Sequence, residues 1–284
     1  MPWTLTRSLE VFAGMADDLL RSDPVRHTVP LTLLATLRAS GPSVFGDDPP
    51  RYGWHASDGG VVDGAFLQTP PFPVLVAELP AGSAADLIGL LGADGWLPAA
   101  ANVPGNSTAV FSAAWAGATG GDTTVAQRHR LFRLDRLAPP DPAPPGAARA
   151  AGAGDRELLI EWAVAFGREA DSVVRDNGRT VDDRLSHGGL TLWEVGGQPV
   201  AMAGRTRDVA GVVRVMGVYT APAHRQRGYG AAVTTAVTQS ALDAGASAVV
   251  LFTDLANPTT NALYRRLGYS PIEDRVLLNL HQPG

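Results

Sequence analysis

The sequence contains no lysine: all 23 of its basic residues are Arg. That excludes phosphate-loop nucleotide hydrolysis, Schiff-base chemistry and lysine-activated serine nucleophiles. It contains no cysteine either, which removes thiol nucleophiles, disulfides, thiolate zinc sites and iron–sulfur clusters. Charged residues make up only 18%. No apolar run approaches the roughly 18 residues of a membrane span. The N-terminus reaches Asp17 and Asp18 with no basic-then-apolar signal region, so the expectation is a cytoplasmic protein with no membrane partner. An excess of positive charge is missing too. Residues 1–145 hold 9 Arg against 14 acids, and residues 146–284 hold 14 against 14. Neither half is basic enough to expect nucleic acid as a partner.

A hydrophobic fraction of 45% over 284 residues is enough to bury two cores of ordinary size. The stretch Ala138–Pro145 reads APPDPAPP, too rich in Pro for helix or central strand. The sequence on its two sides is similar. Trp54 and Trp193 each open a strand–turn–strand pattern, Pro104–Trp115 echoes Pro258–Leu267, and Arg130–Leu134 and Val276–Leu280 are closing strands. This predicts two copies of one α+β unit, with an N-terminal domain over 1–137, a linker over 138–147 and a C-terminal domain over 148–284. In the second copy the spacing predicts a helix over Asp155–Ala170, a hairpin over 190–205 and a central strand over Val212–Tyr219. A helix over Ala231–Ala244, a strand over Ala248–Thr253 and a helix over Thr259–Leu267 follow.

The informative stretch is Val218–Val233, VYTAPAHRQRGYGAAV. A strand runs into a loop with Arg225, Arg227, Gly228 and Gly230, which opens directly into a helix. Glycines let backbone approach a ligand, N–H groups at a helix start bind phosphate oxygens, and Arg adds charge-assisted contacts. A dinucleotide fingerprint fits poorly, because Val233 stands where its third glycine belongs, although Asp254 lies near the place of its ribose acid. After the next strand comes Asn257-Pro-Thr-Thr-Asn-Ala-Leu-Tyr264-Arg-Arg-Leu-Gly268-Tyr269.

These two motifs, in this order over residues 150–280, resemble the Gcn5-related N-acetyltransferase (GNAT) family. The resemblance implies two tandem GNAT-like units, each a mixed, mostly antiparallel sheet flanked by helices. It implies acetyl-CoA as cosubstrate and no metal. Carried over, Val218, Tyr219 and Thr220 line the pantetheine arm. Gln226, Arg227, Gly228, Tyr229, Gly230 and Ala231 surround the pyrophosphate with Arg225. Asn257 bonds the pantetheine, and Tyr264 protonates the leaving thiolate. An ordinary phenol, with a pKa near 10, is protonated at neutral pH and suits that role. Tyr264 also fits a core-packed aromatic, and Asn257 an N-cap before Pro258.

Four acids, Glu169, Asp171, Glu194 and Asp254, are candidate general bases, and none is singled out. His224 reads as a solvated loop residue, and the other five His show no metal-ligand spacing. In the first copy the loop Pro80–Asp86 has one Gly and no Arg, and Phe111 is expected where the second has Tyr264. That copy therefore reads as a degenerate one without a CoA loop. The implied activity is acetyl transfer by direct attack to a primary amine of a small molecule or peptide, by a monomer or homodimer. The tandem layout is also similar to that of mycothiol-synthase-like acetyltransferases. A non-catalytic acyl-CoA sensor is the alternative outside enzymes.

Overall fold

A computed structural model describes residues 3–170 and 178–283. The first half runs β1 (Trp3–Thr6), α1 (Leu9–Ser22), α2 (Thr28–Ser40), β2 (Arg51–Ala56), β3 (Val62–Gln68) and β4 (Val74–Glu78). It continues with α3 (Ala84–Ala93), β5 (Ala100–Pro104), α4 (Thr108–Thr119) and β6 (Thr123–Leu134). The second half has the same order of strands and helices. It runs β7 (Ala147–Ala150), α5 (Arg156–Glu169), α6 (Gly178–Ser186), β8 (Leu190–Val195), β9 (Gln198–Arg205) and β10 (Val212–Thr220). Then come α7 (Tyr229–Asp243), β11 (Ala248–Asp254), α8 (Pro258–Arg266) and β12 (Tyr269–Leu280). Ten elements repeat in one order, so the internal duplication read from the sequence is present in the fold. Both closing strands are longer than expected, and α7 starts two residues earlier than predicted.

The two halves share one twelve-stranded sheet, ordered β1-β2-β3-β4-β5-β12-β6-β11-β10-β9-β8-β7. Each half gives its last strand to the other. β12 pairs antiparallel with β5, β6 pairs antiparallel with β11, and β6 and β12 pair with each other along the middle. The pairing Arg275↔His129 lies at the centre of a local two-fold. Arg275 also faces Pro104, and His129 also faces Asp254. Pro104 and Asp254 each stand four residues before the next α-helix, at Thr108 and Pro258.

Apolar faces of the helices close both sides of this sheet. Val233, Val237 and Ala241 of α7 are fully buried against Val213, Val215, Val249 and Leu251 of the strands beneath. In the first half α3 and α4 bury Leu87, Ile88, Phe111 and Trp115 with Val74, Val76, Val276 and Leu278. Each of the Val, Leu, Ile and Phe side chains contributes about 1.5–3 kcal/mol by leaving water. The exchanged strand β12 supplies part of that core, so the first half does not bury its sheet with its own residues alone. Leu159 and Trp162 of α5 cover the other face of the second half. The linker runs back along the second half, where the Trp193 indole Nε1 donates to the Pro145 carbonyl at 3.0 Å.

Candidate active site

β10 and β11 pair in parallel from Val212↔Ala248 to Val215↔Leu251 and then part, although β10 continues to Thr220 and β11 to Asp254. The parting coincides with a bulge in the β9–β10 ladder between Met216 and Tyr219. Gly217 sits there at φ +59°, a left-handed conformation that glycine adopts without steric cost. From Met216 onward the edge of β10 that faces β11 has no ladder partner among the described residues. Unpaired strand-edge groups of this kind accept an extended chain as an added strand. Val218 is half-buried on this edge, and Tyr219 turns its ring toward Trp162 at 5.8 Å between centroids.

Beyond Thr220 a short turn (Pro222–His224) leads to α7. Gln226 and Gly228 both have left-handed backbone, at φ +62° and +84°. A non-glycine residue in that region is uncommon, and left-handed residues help build the N–H concavities that bind anions. Gly228 is the N-cap of α7, and no side-chain cap bond is made to the helix among the described residues. The N–H groups of Tyr229, Gly230 and Ala231 in its first turn therefore have no intrahelical acceptor. A Cβ on Gly230 would meet only the Thr220 hydroxyl, at 3.5 Å. Gly228 has Pro144 of the linker beside it, 3.6 Å from where a Cβ would stand. Gln226, Arg227 and Gly228 are exposed, whereas the Tyr229 ring is buried in the core.

Arg225 does not project free beside this turn. Its guanidinium donates to both carboxylate oxygens of Glu169 at 2.6 and 2.8 Å and to the Thr220 carbonyl at 3.0 Å. It ties the turn to the end of α5, and Arg227 is the remaining cation on the turn.

On the opposite side of the parting, Asn257 caps α8, its Oδ1 accepting from the Thr260 N–H at 3.1 Å. The capping reading is thus realised, and the side-chain N–H₂ of Asn257 makes no hydrogen bond among the described residues. Tyr264 is 7% exposed and meets the Tyr269 ring edge-on at 6.2 Å. Its hydroxyl has no hydrogen-bond partner among the described residues, whereas the Tyr269 hydroxyl pairs with that of Thr238 at 2.7 Å. Burial pushes the Tyr264 phenol up to about 12, so it is protonated at neutral pH.

Two of the acids considered from the sequence are held by arginines, and a third, at the end of β11, accepts a backbone N–H. Glu169 holds Arg225, Glu194 accepts from Arg149 at 2.7 Å, and the Asp254 carboxylate accepts the Ala256 N–H at 2.8 Å. Asp171 lies outside the described residues. A titratable side chain that sequence reasoning passed over is His129, which the exchanged strand β6 brings opposite Asp254. Nothing local marks it, because its neighbours belong to the other half of the chain. No group of three or more His, Asp or Glu that could hold a metal ion occurs among the described residues.

The first half repeats the parting. β4 and β5 pair only at Val74↔Ala101 and Leu75↔Asn102. Arg275 of β12 fills the gap beyond. Its guanidinium donates to the Val76 carbonyl, to Asn102 Oδ1 at 2.7 Å and to the Asn102 carbonyl at 3.3 Å. Five residues, 79–83, join β4 to α3, against eight, 221–228, between β10 and α7. Counted from the helix starts, the place of Tyr264 in α8 falls on Ala114 in α4, so Phe111, expected there, stands one turn early. Phe111 is buried in the core.

The family model for the acetyltransferase (GNAT) family matches residues 156–269. A GCN5-related N-acetyltransferase from Sphaerobacter thermophilus superposes with TM-score 0.64 at 17% identity, covering 99% of this chain and 96% of its own. A tandem GNAT protein from the clavulanic acid biosynthesis pathway gives 0.58 at 14% identity over 97% of both chains. A GCN5-related N-acetyltransferase from Kribbella flavida gives 0.57 at 22% identity, over 78% of this chain and 87% of its own. At these identities the likenesses establish the fold. No curated protein matches the sequence. No helix among the described residues is long and apolar enough to cross a membrane. The element order of both halves, the parted strands of the second and the family match together make residues 156–269 a GNAT-family acetyltransferase domain, which implies acyl-CoA-dependent acetyl transfer, within a chain of tandem GNAT fold.

Proposed function

We propose that the second half transfers the acetyl group of acetyl-CoA directly to a primary amine of a small molecule or peptide. The observation that carries this reading is the continuity of the open β10 edge with the uncapped start of α7. An amide-bearing pantetheine chain pairs with the edge at Val218 and Thr220 in strand fashion, and the pyrophosphate meets the N–H groups from Gln226 to Ala231. Arg227 adds charge from the turn, and Arg225 braces the turn through Glu169. Asn257 offers its amide N–H₂ from the other side, since its oxygen is spent on the cap.

With no cysteine to carry the acyl group, the amine nitrogen attacks the thioester carbon itself. The new C–N bond forms, the C–S bond breaks, and the amine gives up a proton. The N–H of the β10 edge near Val218 stabilises the oxyanion. Tyr264 donates its proton to the departing sulfur and regains one from solvent. A sensor that only binds acyl-CoA has no use for a protonated phenol at this position.

Gly230→Val tests the assignment of the turn. The fold has room for a Cβ there, but the branched side chain occupies the space in front of the α7 N–H groups. The variant is expected to keep its melting temperature while calorimetry finds no acetyl-CoA binding, and CoA release from acetyl-CoA with a panel of amines falls to background. Unchanged affinity in the folded variant removes the assignment.

A further inference from the structure

We propose that His129, carried into the second half by the exchanged strand β6, is the general base that takes the proton from the attacking amine. The inference rests on the acetyl-transfer reading above. It starts from the local two-fold between β6 and β12, on which His129 and Arg275 face each other and occupy equivalent positions. Each also faces the residue four places before an α-helix start, Pro104 for Arg275 and Asp254 for His129.

Arg275 shows where a side chain at this position goes. It passes β5 and ends on the carbonyl of Val76, at the edge of β4 where that strand parts from β5. The equivalent path from His129 passes β11 toward the edge of β10 at Val218, where the thioester carbonyl lies in the proposed function. An imidazole ends sooner than a guanidinium along the same path. The arginine therefore fills its gap, and the histidine stops at the border of a gap that stays open. One position thus closes the first site and equips the second.

The ring is suited to the task. His129 is half-buried, and neither ring nitrogen is committed to a hydrogen bond among the described residues. Two charges face it, the Asp254 carboxylate from β11 and the Arg275 guanidinium from β12. Burial, and then Arg275, hold its pKa below the ordinary imidazole value against the opposing pull of Asp254. The neutral, proton-accepting form therefore prevails at neutral pH. In the step itself, the Nε2 or Nδ1 lone pair takes the N–H proton as the C–N bond forms, giving an imidazolium beside Asp254. Tyr264 supplies a separate proton to sulfur, so the two protons travel by different residues.

The test uses the full chain, acetyl-CoA and two kinds of acceptor, primary alkylamines and the arylamine p-anisidine. His129→Gln is expected to lower kcat for alkylamines about 10²-fold with acetyl-CoA affinity unchanged. The fall of kcat on the acid side in the parent protein is lost in the variant. The deficit shrinks with p-anisidine, whose weakly basic nitrogen gives up its proton more readily as the C–N bond forms. His129→Ala is rescued by added imidazole, a response that a packing role does not give. An active parent with an unimpaired, unrescuable variant and an unaltered pH profile overturns the base and leaves the acetyl-transfer reading standing. A parent protein that releases no CoA with any amine overturns that reading and the base with it.

Discussion

Tyr264→Phe lowers the turnover number on the order of 10²–10⁴-fold, the usual range for losing a general acid, while acetyl-CoA affinity and melting temperature stay nearly unchanged. Stability is spared because the hydroxyl bonds nothing in the protein among the described residues. The ring, not the oxygen, packs against Tyr269, and phenylalanine keeps that contact. The rate is not spared, because in the proposed function this phenol, held up to about 12 by burial, gives its proton to the departing sulfur. A donor that weak transfers its proton only as negative charge builds on sulfur. The deficit therefore shrinks with thioesters of more acidic thiols, whose leaving groups need less help. A tyrosine present only for packing gives the reverse: a lower melting temperature and normal turnover. Kinetics and a thermal melt on this one variant separate the two.

Arg275→Met produces the largest loss of stability, about 3 kcal/mol, because it leaves buried acceptors without donors. Arg275 is 4% exposed, and its hydrogen bonds satisfy the Val76 and Asn102 carbonyls and the Asn102 side chain. Methionine keeps much of the volume and none of the donors. Nearby Glu273, whose pKa burial already raises and Arg275 lowers, also loses its compensating charge. Arg275→Lys recovers part of the loss, since an ammonium reaches fewer of these acceptors than the planar fork. Chemical denaturation of the two variants checks the order. Equal stability of Arg275→Met and the parent protein contradicts the role given to this residue.

Local signals in the sequence carried far because the chemistry of the site is local. The turn from Thr220 to Gly230 and the segment from Asn257 to Tyr264 are each continuous, and their spacing survives into the structure as an uncapped helix start and a capped helix with a buried phenol. The duplication was also legible, through matching turn glycines and apolar runs. Contacts across the chain were not. Arg225 reads as a phosphate contact until Glu169, 56 residues away, claims it. Arg275 lies 173 residues from Asn102, and no periodicity in β12 shows that its gap belongs to the other half. The exchange of β6 and β12 leaves no mark in either strand, since an antiparallel strand pairs with whichever edge the topology presents. His129 was passed over for the same reason: its meaning comes from Asp254 and from the two-fold, not from its neighbours in sequence.

Two clefts of the same topology differ in ways that matter for binding: Arg275 fills the first, whose strand-to-helix connection is three residues shorter, and the second is open along β10 as far as the α7 N–H groups. Titrating acetyl-CoA into the full chain by calorimetry tests that difference directly. One molecule per chain is the predicted result. Two molecules per chain, or a single one whose binding survives Gly230→Val, contradicts it.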